Sequence, residues 1–179
     1  MAIRFYVGHG ASGSAASMRP HVEGLRSRGI EAKAIDLPLK KAEDAVGPFR
    51  RIVPDRARRD GVAIAVGGQS YGGRVASLAA AEPGTEYAAL VCFSYPLHPP
   101  GLPDKAQDRV AHWPSIRCPV LLLSGEADPF ARIELLRTAV ALLPNAELIT
   151  YPRLGHSLKT VLPDALDRTA AFLKAIDGS

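Results

Sequence analysis

The sequence predicts an α/β fold: a six-stranded parallel sheet with helices on both faces. Two observations carry this reading. Short apolar runs alternate with stretches of helical periodicity from one end of the chain to the other, and such alternation implies crossover connections and a parallel sheet. Several of the runs are also continuous and rich in Val, Ile and Leu, as strands covered on both faces require. With 179 residues the chain is expected to form one domain over 1–179, burying roughly 70% of the surface its unfolded form exposes.

The strands are expected at 3–7, 31–35, 62–66, 87–93, 120–124 and 147–151, and the helices near 14–28, 42–53, 71–81, 131–143 and 162–176. The last helix has the clearest pattern. Leu162, Leu166, Thr169, Ala170, Leu173 and Ile176 recur at helical spacing, with Pro163 in the first turn. The strand order expected is 2-1-3-4-5-6. One connection breaks the rhythm: "YPLHPPGLPDKAQDRVAHWPSIRCP" (95–119) is proline-rich and too long for a tight turn. Since it follows a strand end, where open α/β sheets bind ligands, it is expected to form a pocket wall.

Composition narrows the function classes. Hydrophobic residues make up 47% and charged residues 22%, ordinary for a soluble globular protein. The net charge is +4, with basic residues concentrated in "RRIVPDRARRD" (50–60). Asp55 and Asp60 interrupt that run and no aromatics interleave it, so a solvated helix face is expected rather than a nucleic-acid surface. No run is long enough to span a bilayer and no signal-peptide pattern opens the chain, so a cytoplasmic location is expected. Cys92 and Cys118 lie outside any metal-binding spacing and read as buried, reduced thiols.

The chemistry begins at "VGGQSYGGR" (66–74). Gly68-Gln69-Ser70-Tyr71-Gly72 is G-x-S-x-G between a strand and a helix, the setting of a nucleophile elbow. A serine hydroxyl needs a base, and the base needs an orienting acid. Asp128 in "LLLSGEADPF" and His156 in "YPRLGHSL" each follow a strand and supply the order Ser, Asp, His; Glu126 is the alternative acid. His21, His98 and His112 are expected to have packing or surface roles.

Two readings compete for "GHGASG" (8–13). Its glycines fit the dinucleotide fingerprint G-x-G-x-x-G, and Asp36 closes the second strand where a ribose-binding acid would stand. Alternatively it is an oxyanion loop, with the backbone N–H groups of Ala11 and Tyr71 as donors and His9 organising the loop. Only the second reading also accounts for Ser70, Asp128 and His156. The expected substrate pocket is partly lined by Tyr71, Tyr95 and Leu97.

The segments "GHGASG", "GGQSYGGR", "YPLHPPG", "GEADPF" and "GHS" together resemble the small α/β-hydrolases described as dienelactone-hydrolase-like. They are most similar to predicted hydrolases related to the hydrolase-like domain of a nuclear histone-acetyltransferase complex subunit. The resemblance implies a minimal α/β-hydrolase fold entered at the full fold's third strand, without a large lid. It implies a Ser70, Asp128 and His156 triad needing neither cofactor nor metal. Dienelactone hydrolases proper carry a cysteine where this chain has Ser70. The expected reaction is cleavage of a small carboxylic ester or thioester, with no nucleic-acid or membrane partner; the oligomeric state stays open. The competing class is a catalytically silent hydrolase-like scaffold that binds a protein.

Overall fold

The computed structural model describes residues 2–55 and 61–178. The six strands are β1 (Ile3–Gly8), β2 (Glu31–Ile35), β3 (Ala63–Gln69), β4 (Ala89–Phe93), β5 (Val120–Gly125) and β6 (Ala146–Tyr151). They form one sheet in the order β2-β1-β3-β4-β5-β6, all pairs parallel. The order and the parallel pairing are those expected. Between the strands lie α1 (Arg19–Arg26), α2 (Ala42–Ile52), α3 (Tyr71–Ala81), α4 (Ala106–Val110) and α5 (Ile133–Ala139), and α6 (Leu162–Asp177) follows β6.

The continuous apolar runs are explained by two cores, one on each face of the sheet. Successive strand side chains point to opposite faces, so Phe5 and Val7 enter one core while Tyr6 enters the other. Likewise Leu121 and Leu123 pack with Met18, Leu25, Leu166 and Leu173 of the α1–α6 side. Leu122 packs on the other side with Phe49, Val75, Trp113 and Leu136.

Two helices are shorter than periodicity suggests. The 14–28 stretch begins as a 3-10 turn at Ala15–Met18, and the α-helix starts only at Arg19, next to Pro20. Proline lacks an N–H and has φ preset for a first turn, so it marks a start rather than an interior. The turn after the helix closes at Gly29, whose φ of 81° lets the Ile30 N–H reach back to the Leu25 carbonyl at 3.1 Å. After β5 the α-helix covers only Ile133–Ala139 and tightens to a 3-10 turn at Val140–Leu142.

The basic run 50–60 lies partly outside the described residues, at 56–60. Within the described part, Arg50 at the end of α2 pairs with Glu82 and, at 3.2 Å, with Asp55. Cys92 is buried and Cys118 half-buried, both as free thiols; burial pushes the Cys118 thiol up to about 12. Among the described residues no helix is long and apolar enough to cross a membrane.

Candidate active site

Three glycines bring the elbow together. A Cβ on Gly68 would lie 2.3 Å from the Gly8 carbonyl oxygen, and one on Gly72 would lie 2.4 Å from the same atom. The end of β1, the end of β3 and the first turn of α3 therefore touch backbone to backbone. Ser70 stands at the sharp bend between β3 and α3 with φ 48° and ψ −111°, a region that non-glycine residues rarely occupy. Its N–H is fixed to the Phe93 carbonyl at 2.8 Å.

The other two members of the candidate triad come from the next two strand ends. A Cβ on Gly125 would meet the Leu154 carbonyl oxygen at 2.1 Å, and the Ala127 N–H donates to that oxygen at 2.9 Å. The loops after β5 and β6 are thus in direct backbone contact. His156 Nε2 lies 2.8 Å from Ser70 Oγ, and its Nδ1 lies 2.7 Å from Asp128 Oδ2. The Asp128 side chain has no exposed surface, and its Oδ1 accepts the Phe130 N–H at 2.8 Å. A proton on Nδ1 satisfies Asp128 and leaves Nε2 free to accept from the serine. Phe130 covers the imidazole, with ring centroids 4.4 Å apart. Glu126 is turned elsewhere, to Thr150 Oγ1 and Arg137 Nη2 at 2.8 and 2.9 Å.

The "GHGASG" segment forms the loop above β1. His9 is buried, its Nδ1 faces the Gly10 carbonyl at 2.7 Å, and its Nε2 accepts the Leu37 N–H at 3.0 Å. That pattern fixes the neutral Nδ1–H tautomer and makes His9 a brace for the loop. Asp36 holds the 3-10 turn that follows this loop: its Oδ1 accepts the Ala15 N–H at 2.7 Å. Ala11 lines the same cavity as Ser70 and Tyr71. Tyr71 is the first residue of α3, so its N–H has no partner within the helix. Its phenol donates to the Pro38 carbonyl at 2.6 Å.

That cavity measures about 640 Å³, within the usual range for small-molecule sites. The long connection supplies one wall, through Pro96, Pro99 and Leu102. Tyr95 and Leu97, expected in that wall, are instead 1% and 0% exposed. Tyr95 packs edge-on against Trp113 and donates its hydroxyl to the Arg109 carbonyl at 2.7 Å. Ser94, at φ 55°, breaks the pleat at the end of β4, so Tyr95 and Leu97 join the core that holds Leu90 and Cys92, while Pro96 lines the cavity. The connection is therefore both pocket wall and core plug, since Val110, Trp113 and Ile116 are buried as well.

The remaining histidines have packing partners. His98 is buried, and its Nε2 accepts the Arg132 N–H at 3.0 Å, tying the connection to the loop that carries Asp128. His112 Nε2 lies 2.8 Å from Ser77 Oγ, and His21 stacks edge-on against Phe93. Sequence reasoning missed Phe130 and the basic residues of the cavity, Arg74 among them. The available signal was spacing: Arg74 lies one helical turn beyond Ser70, on the same face of α3.

Residues 5–177 match the family described as alpha/beta hydrolase domain. No curated protein matches the sequence. Among solved structures, Est1E from Butyrivibrio proteoclasticus, with ferulic acid bound, superposes with a TM-score of 0.79 at 18% identity, over 100% of this chain and 90% of that one. The Paleococcus ferrophilus monoacylglycerol lipase gives 0.76 at 15% identity, over 94% of each chain. The Pyrococcus furiosus esterase Pf2001 gives 0.72 at 20% identity, over 97% of this chain and 80% of that one. At these identities the likeness is one of fold. The dienelactone-hydrolase-like grouping and the tie to a histone-acetyltransferase subunit find no counterpart in these matches.

Proposed function

The chain belongs to the alpha/beta hydrolase domain family, and from that premise we propose that it is a serine hydrolase of small carboxylic esters or thioesters. The observation that carries the proposal is the hydrogen-bonded line from Ser70 Oγ through the His156 ring to Asp128, at 2.8 and 2.7 Å. In the proposed reaction Ser70 Oγ attacks the substrate carbonyl carbon as His156 Nε2 takes its proton. The carbonyl oxygen becomes an oxyanion, held by the backbone N–H groups of Tyr71 and Ala11. Asp128 stabilises the imidazolium that forms and holds its tautomer.

Collapse of the tetrahedral intermediate breaks the bond to the leaving alkoxide or thiolate, which takes the proton from Nε2. The acyl group remains on Ser70. Water then attacks the acyl carbon as Nε2 accepts its proton, and the second collapse returns that proton to Ser70 and releases the acid. We read residues 1–179 as one catalytic domain with no cofactor in this sequence of steps.

A fluorophosphonate probe followed by peptide mapping tests the proposal. The expected result is covalent labelling at Ser70, with Ser70→Ala abolishing both labelling and turnover of 4-nitrophenyl acetate. Labelling at Ser12, Ser14 or Ser157 with Ser70 untouched overturns the assignment. Labelling of no serine favours the silent scaffold.

A further inference from the structure

The cavity beside Ser70 carries an excess of positive charge that the reaction above does not use. Lys40, Lys41, Arg74, Lys105 and Arg109 line it, against two carboxylates, Glu43 and Asp108. Both carboxylates already have partners. Glu43 pairs with Arg74, and Asp108 faces Lys105 at 3.9 Å. Among the described residues Lys40, Lys41 and Arg109 have no carboxylate within ion-pair distance.

Arg109 is held in place rather than waving in solvent. Its carbonyl accepts hydrogen bonds from the buried Tyr95 hydroxyl at 2.7 Å and from Arg74 Nη1 at 3.0 Å. Its own Nη1 donates to the Pro96 carbonyl at 3.0 Å, a neutral acceptor. Burial first, and then the neighbouring Arg74 charge, lower its pKa from the usual arginine value. A half-buried guanidinium beside a second one, with Glu43 already paired to Arg74, is a position that an anion stabilises.

We propose that the substrate carries a second, anionic group, a carboxylate or a phosphate, and that Arg109 binds it with Lys40 and Lys41 at the rim. The proposal rests on the serine-hydrolase reading, because it places the scissile carbonyl at Ser70. It assigns roles to features that reading leaves idle. Arg74 and Tyr95 become the struts of Arg109, and the exposed lysines attract the charged ester toward the opening.

The test compares 4-nitrophenyl hydrogen succinate with 4-nitrophenyl butyrate, which differ by a carboxylate in place of a methyl. The charged ester is expected to have the higher kcat/KM, by roughly tenfold or more, and added salt is expected to erode the preference. Arg109→Gln should lower the ratio of the two constants by about tenfold, Arg109→Lys by less, and Lys33→Gln on the exposed side of β2 not at all. Should Arg109→Gln fail to fold, the double variant Lys40→Gln, Lys41→Gln is expected to lower the same ratio. Competition against the butyrate ester by propionate and by ethyl phosphate separates the two kinds of anion.

A ratio near one in the parent, or one that none of these variants moves, overturns the inference. Calorimetric titration of monoethyl succinate into the Ser70→Ala chain keeps the two proposals apart. Binding that Arg109→Gln removes, in a parent that turns over no ester, would keep the anion site and sink the hydrolase reading. Turnover of both esters with no binding advantage for the anion would do the reverse.

Discussion

At Asp128 the two carboxylate oxygens have different duties, since Oδ1 takes the Phe130 N–H and Oδ2 faces the His156 Nδ1. Asp128→Asn would keep its amide oxygen on the Phe130 N–H and turn its NH₂ toward Nδ1. Two donors would then face each other, and the ring would shift its proton to Nε2, where it can no longer accept from Ser70. The expected loss is on the order of 10⁴ in kcat, as in serine proteases carrying the same change. Asp36→Asn retains an oxygen for the Ala15 N–H and is expected to lose little activity. Esterase kcat for the two variants checks both expectations. Equal losses would mean that Asp128 does not orient the base, and a calorimetric NAD signal removed by Asp36→Asn would revive the dinucleotide reading of the loop.

The three-way backbone contact of Gly8, Gly68 and Gly72 shows how the strand-to-helix joint holds the serine. Gly72→Ala sets a methyl against the Gly8 carbonyl, and neither backbone can retreat without shifting its element. The expected cost is about 1–3 kcal/mol of stability, together with a fall in kcat from displacement of Ser70. Chemical denaturation and esterase assays read the two effects, and a variant unchanged in both would mean that the joint is looser than its spacing implies. The glycines, the strands and the loop-borne Asp128 and His156 were legible because motif and periodicity constrain them together. Tyr95 and Leu97 were misread because a proline-rich run after a strand looks like exposed loop, whereas the turn at Ser94 (φ 55°) redirects both side chains into the core beside Leu90 and Cys92. Arg109 was illegible for a different reason: its place depends on two side chains, Tyr95 and Arg74, that lie 14 and 35 residues away.

Across the whole molecule, two histidines outside the candidate site couple folding to acidity. Burial lowers the pKa of His21 from 6.5 to about 4. Burial, and then the Arg74 charge, do the same for His112. The unfolded chain takes up these protons near pH 6.5 and the folded one only near pH 4, so stability present above 6.5 is lost progressively as pH falls toward 4. Urea midpoints should therefore decline between about pH 7 and pH 5, and His21→Leu should flatten the slope. A midpoint constant across that interval would contradict the assignment. The sheet order was readable because six strands joined by right-handed crossovers admit few arrangements; the cavity's charge was not, because Lys40, Arg74 and Arg109 converge from three separate connections. The span between Ser70 and His156 has a consequence in time. They lie 86 positions apart, and His156 follows β6, which among the described residues is an edge strand paired with β5. A ribosome making this chain releases the alcohol and its elbow early and the imidazole late. On the proposed reading, Ser70 stays an unactivated alcohol until β6 has paired with β5 and His156 can reach it.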